Sequence, residues 1–287
     1  MTPFASPRAL RVELAKQVTR PRTAGVLVAV SAVAATICGL IAAYRGASPE
    51  RIGDWGSVVP DSSGIALALV AVNALTLLAY PVIACVFAGD SVAGEAASGS
   101  LRYLLARPVP RWRILASKIG VATGLTVVTI AVSVLVAFVI GLAAYGWHSL
   151  PVTDLRHSTA FQLAGAVFGA AQTLWRLLLV VSVVLASTAA VFAFSFFLST
   201  ITEYSFAAIA GGIGFVFTSR ALDNIPGLHS LSPWLPVTDA GTTAWAGLLD
   251  QPIQTGPITR LLIVQGAYTA TLLAVAASRF SRADILS

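Results

Sequence analysis

The chain has 287 residues, of which 57% are apolar and only 10% charged, against roughly 45–50% and about 25% in ordinary soluble domains. A water-soluble fold of this size cannot hide that much apolar surface in one core. The apolar residues also fall into runs of about 18–25, the length that spans a ~30 Å hydrocarbon layer as a helix, so the chain reads as an all-α integral membrane protein with a single transmembrane domain over 1–287. The net charge of +6 does not imply nucleic acid as a partner, because the basic residues gather at the ends of the apolar runs, where they face lipid headgroups.

In chain order, Pro7–Arg22 interleaves Leu10, Val12, Leu14 and Val18 with Arg8, Arg11, Glu13, Lys16, Arg20 and Arg22. It is too polar to span and reads as an amphipathic helix lying on the cytoplasmic face, within residues 1–23. The first span is expected at about Ala24–Ala43, too late and too long for a cleavable signal peptide. A Gly- and Pro-rich loop, Tyr44–Ser63, leads to a second span at about Gly64–Ala88, in which Pro81 predicts a kink. The polar segment 89–118 separates it from a third span, about Ile119–Tyr145. Gly146–Trp175 is less apolar, and Phe161–Ala171 within it fits a short interfacial helix. The fourth span is expected at Leu177–Ser199. A tight linker, Thr200–Tyr204, leads to a short fifth, Ser205–Ser219, so this pair reads as two crossings or as a shallow hairpin. Residues 220–259 form an outer segment in which Leu228–Leu235 and Ala240–Leu249 read as short helices. The sixth span is Leu261–Ser278.

Lys and Arg counts set the orientation. The N-terminal stretch carries five, the 89–118 segment five and the tail two, against six spread over the longer loops on the other side. The N-terminus, the 89–118 segment and the tail are therefore expected in the cytoplasm. Cys38 and Cys85 fall near opposite ends of neighbouring spans. At 1.5 Å per residue their depths differ by roughly 15 Å, beyond the ~7 Å Cα limit of a disulfide.

Polar residues inside the spans normally turn inward. Asn73 and Thr76 share a helix face, as do Thr123, Thr126 and Thr129, and Gln265 and Tyr268. They either line a path for an amphipathic substrate or hydrogen-bond helix to helix. His148, Asp154 and His157 have no common metal-ligand spacing, and no metal site is expected. All three histidines lie outside the spans and no carboxylate falls inside one, which argues against an intramembrane enzyme and against an ion-coupled carrier with a midplane carboxylate.

The segment after the second span holds the most information. Following Asp90, it runs Glu95-Ala-Ala-Ser-Gly99-Ser100-Leu101-Arg102-Tyr-Leu104-Leu105-Ala-Arg107-Pro108-Val-Pro110-Arg111. A helix can reach Ser98 and stop at Gly99, which tolerates a left-handed cap. A turn over Leu101–Ala106 stops before Pro108, and Pro110 or Arg111 opens the next helix. The result is either a rigid helical knob suited to a partner that pushes on the membrane domain or a basic anchoring loop. The order Glu95, Gly99, Ser100, Leu101, Arg102, Leu104, Leu105, Pro108, Arg111 resembles the ABC-2 family of ABC-transporter permeases. Ser100, Ala97 and Pro110 depart from that pattern, standing where Thr, an acidic residue and Ser or Thr are usual.

The resemblance extends to the layout of an N-terminal elbow helix, six spans and a long outer segment before the last. It implies that 89–118, Asp90 included, is the coupling helix that docks on an ATP-binding subunit. It also implies export of a hydrophobic or amphipathic substrate, pairing with a second permease copy or a sister permease, and residence among lipids of a bacterial plasma membrane. The chain has no Gly-Lys-Ser/Thr phosphate loop, since its two lysines, Lys16 and Lys118, lack that context. ATP and Mg are therefore expected in the partner and no cofactor in this chain. An ion-coupled carrier without an ATPase is the alternative.

Overall fold

In the computed structural model, which describes residues 7–43, 64–99, 110–146, 150–151, 167–168, 170–225, 227, 230–238, 244, 248 and 255–282, every predicted apolar run is helical. Helix α1 is Pro7–Val18 and α2 Pro21–Ala43. Pro21 occupies the first helical position, where its missing N–H costs nothing. Between them, the Thr19 hydroxyl donates to Ala15 O at 2.9 Å and Thr23 to Gln17 O at 2.6 Å, which satisfies the last carbonyls of α1.

The second span is two helices, α3 (Gly64–Leu77) and α4 (Ala79–Ala97), meeting at 52°. The break falls at Leu78, three residues before Pro81. Proline has no N–H to bond back one turn and its ring crowds the carbonyl four residues earlier, that of Leu77. Helix α4 does not stop where the apolar run does. It continues past Ala88 to Ala97 and ends at Gly99, whose φ of +68° is the left-handed cap expected there.

Helix α5 runs Arg111–Tyr145, and α6 (Ala170–Ser187) and α7 (Ala189–Ile201) together make the fourth span, Trp175–Ile201. Helix α8 is Ser205–Asp223 and α9 Thr255–Arg282. Five of the helical segments are long and apolar enough to cross a membrane singly, and the bent α3–α4 pair makes a sixth. The helices outrun the predicted spans because a helix does not end where hydrocarbon ends. The fifth span is longer than its apolar window, 19 residues.

Around the outer segment the elements differ from expectation. Of the expected helix Leu228–Leu235, the described residues 230–235 form only a single 3₁₀ turn, Ser232–Trp234, since Pro233 can make no backbone donation; Gly227 before it sits at φ +100°. Val167–Phe168, expected as helix, pairs antiparallel with Leu150–Pro151, with Leu150 opposite Phe168. The rest of Phe161–Ala171 up to Ala170, and Ala240–Leu249 apart from the buried Ala244 and Leu248, lie outside the described residues.

Two packed groups form the bundle. Helix α5 collects α2 and α3, while α4 lies between α7 and α8, with α9 against α7. Close approach depends on glycine. A Cβ on Gly141 of α5 would lie 3.0 Å from Gly64 C of α3 and nearer still to Gly64 O. A Cβ on Gly212 of α8 would strike Ser195 Oγ of α7 and come within 2.7 Å of Cys85 Sγ of α4. Both cysteines are buried and free.

Candidate functional site: a buried ion-pair cluster where α1, α4 and α5 meet

At one end of the bundle, α1, the turn after it, the start of α2, α4 and α5 bring seven charged side chains together. Glu95 projects from the last turns of α4 and is fully buried. Lys16 of α1 approaches one of its oxygens and Lys118 of α5 the other, each at 2.5 Å. Lys118, 2% exposed, also donates to Ser91 O at 2.9 Å and reaches Glu13 Oε1 at 3.5 Å. One turn nearer the membrane, Asp90 receives Arg20 on Oδ2 at 3.0 Å and Arg22 on Oδ1 at 2.9 Å. Gly94 leaves room for that carboxylate, since a Cβ there would fall 2.6 Å from Asp90 Oδ1. Gln17 bridges the two groups weakly, donating to Glu13 and accepting from Arg20, both at 3.5 Å.

Buried charge is tolerated only when paired and hydrogen-bonded, and here each carboxylate meets at least one cation. Burial pushes the Glu95 carboxyl up, but the charges and hydrogen bonds of Lys118 and Lys16 outweigh it and hold the group below the usual 4.5. Glu95 lies beyond Ala88, past the apolar part of the second span. A carboxyl whose folded pKa is depressed adds stability above its unfolded pKa and loses it as pH falls through the folded value. The stability gap between the parent and Glu95→Gln is thus expected to be constant from neutral pH down to about 4.5 and to close below it; thermal unfolding in detergent over a pH series measures this.

The other coupling residues divide cleanly. Gly99 is exposed and left-handed. Arg111, at the start of α5, donates to Ser281 O at 3.1 Å, which ties it to the C-terminal end of α9. Ser100, Leu101, Arg102, Leu104, Leu105 and Pro108 lie outside the described residues, as do His148, Asp154 and His157. Asp90 and Glu95, expected in the coupling segment, are buried among ion pairs of the chain itself.

The structure does not join the path residues into one lining. Thr76 and Thr126 are buried, but each hydroxyl donates to the carbonyl four residues back, at 2.7 and 2.9 Å. Thr123 is exposed and does not share the buried face of Thr126 and Thr129. Asn73 and Tyr268 are half-buried. Gln265 is buried in α9, accepting from Ala190 N at 2.8 Å and donating to Pro236 O at 2.7 Å. It lines a cleft of about 330 Å³ with Arg260, Leu261, Pro257, Pro233 and Ser232, but its amide is already occupied in helix-to-loop bonds.

Sequence reasoning missed Glu13, Lys16, Arg20, Arg22 and Lys118 as parts of a site, because positive-inside counting alone accounted for the basic residues. A signal was present: the only two lysines in the chain both flank spans near carboxylates.

A family model described as ABC-2 family transporter protein matches residues 11–285, while comparison with curated proteins finds no match. The matched stretch takes in all six spans, α1 from its second turn and the whole ion-pair cluster, and on that extent the chain belongs to the ABC-2 transporter family.

Proposed function

We propose that this chain is the permease subunit of an ATP-driven exporter, with ATP hydrolysed on a separate polypeptide. Family membership implies partnership with ABC ATPase subunits in general. The reading extends to a coupling role for the segment between Gly99 and Pro110, to a hydrophobic or amphipathic cargo, to a paired permease of the same or a sister chain, and to a bacterial plasma membrane with both termini in the cytoplasm. One observation carries the coupling role. Helices α4 and α5, which bracket this segment, are fastened to each other by the Glu95–Lys118 pair close to where it leaves and rejoins them. A short segment held at both ends delivers a push to two membrane helices together. An all-helical interior whose charges are gathered at one end, with Ala, Val, Leu and Phe lining the core, suits an apolar cargo better than an ion.

The test is affinity purification of the tagged chain in mild detergent with mass spectrometry of what accompanies it. A soluble ATPase is expected with the parent and is expected to be lost from Leu101→Ala with Arg102→Ala, a change outside the ion-pair cluster. Absence of any ATPase under several mild conditions would make a self-contained carrier the better account.

A further inference from the structure

Over Glu13–Val18, the part of α1 whose side chains are described, the helix is turned inside out relative to an ordinary surface helix: Glu13 and Gln17 are buried, while Leu14 and Val18 stand 46% and 54% exposed. Among the described residues, no α1 side chain joins the apolar core. What ties this described stretch of α1 to the bundle is charge: Lys16 to Glu95 and Glu13 to Lys118, with Arg20 of the following turn and Arg22 of α2 on Asp90. Asp90 and Glu95 sit on α4 and Lys118 on α5, the two helices that bracket the 100–109 segment. A helix held by apolar packing can slide at little cost, because such contacts are non-directional. One held through buried carboxylates on α4 and a buried ammonium on α5 has a preferred register, since a shift leaves Glu95 or Lys118 short of a partner in a water-poor site.

We propose that Lys16 and Glu95 are positioning residues that lock α1 to α4 and α5 as one body, so that displacement of the 100–109 segment reaches the first span through α1. This rests on the ATP-coupled reading above. Glu95 then acts from inside the permease, and its place in the family-like Glu-to-Arg pattern reflects the lock and not a contact with the ATPase. Only Thr19 and Arg20 separate the end of α1 from Pro21 at the foot of α2, which makes the connection to the first span short.

The experiment uses the permease copurified with its ATPase in lipid nanodiscs and compares the parent with Lys16→Met and Lys16→Arg. Lys118 still pairs Glu95 in both, so folding is retained. For Lys16→Met, ATPase retention and KM for ATP are expected to stay at parental values while kcat falls about tenfold, a change within the range of a single pairwise coupling. Lys16→Arg is expected to restore kcat to within about twofold by keeping the charge. Unchanged kcat in Lys16→Met, or loss of the ATPase itself, would overturn the proposal, the latter by making Lys16 a docking contact.

A second arm needs no ATPase. Spin labels on Leu14→Cys and Trp112→Cys, both exposed positions, in a Cys38→Ala, Cys85→Ala background report the α1-to-α5 distance. One narrow distribution is expected, broadened by Glu95→Gln or Lys16→Met. Equal widths in all three overturn the lock whatever the partner. If the parent brings down no ATPase, the ATP-coupled reading fails, while this arm still decides whether charge fixes α1.

Discussion

A Lys118→Met chain is expected to unfold about 10 °C below the parent in detergent, the shift that a loss of about 3–5 kcal/mol produces in a domain of this size. Lys118 is the hub of the cluster: its ammonium meets Glu95 Oε2, Glu13 Oε1 and Ser91 O. Methionine fills similar volume, so the cost is electrostatic. Glu95 is left with Lys16 alone of its two lysines, Glu13 loses its cation, and the Ser91 carbonyl loses its donor. Removing one partner of a buried pair costs far more than removing both. The double variant Lys118→Met with Glu95→Met is therefore expected to regain most of the lost stability, which a cavity or packing defect would not do. A single variant melting within about 2 °C of the parent would mean that the cluster is solvated and carries little energy.

Gly141→Leu is expected to abolish the monodisperse peak on size-exclusion chromatography, with even Gly141→Ala lowering its yield. The obstruction is backbone: a side chain at 141 runs into the Gly64 carbonyl, and Gly64 in turn faces the backbone of Gly141 and Leu142. Main chain cannot rotate aside as a side chain does, so the penalty exceeds the 1–3 kcal/mol typical of overpacking. The helices must separate, taking apart the tight small-residue contact on which membrane helix association depends. Gly124 in the same helix supplies the control. Nothing lies within 4 Å of a Cβ there, and Gly124→Leu is expected to elute like the parent. If both leucine variants elute alike, the α3–α5 crossing is looser than described.

Much of this architecture is legible from hydropathy, because the hydrocarbon layer imposes one length scale on every span. The apolar windows located the helices long and apolar enough to cross, five singly and the bent α3–α4 pair, and Pro81 and Gly99 marked a bend and a stop through their own backbone chemistry. The loops were harder to read: Val167–Phe168 pairs with Leu150–Pro151, a partner no short window contains, and Pro233 keeps Ser232–Trp234 to a single turn. The charge cluster was the largest miss. Glu13 and Lys118 are separated by about a hundred residues, and their neighbours explain each well enough as a headgroup anchor. Only the fold shows that Asp90 and Glu95 are buried among cations of the same chain.

The wide sequence separation within the cluster also bears on how the protein is made. Lys16 leaves the ribosome about a hundred residues before Lys118, which at roughly 5–20 residues per second is an interval of about 5–20 s. For most of that time α1 has neither Glu95 nor Lys118 to meet, while the five basic residues of the N-terminal stretch can rest on anionic headgroups. The first span is thus inserted with α1 parked on the lipid surface, and the third span brings the ammonium that draws it in. Closure of the cluster marks the moment when the amino-terminal half of the nascent chain becomes a single unit.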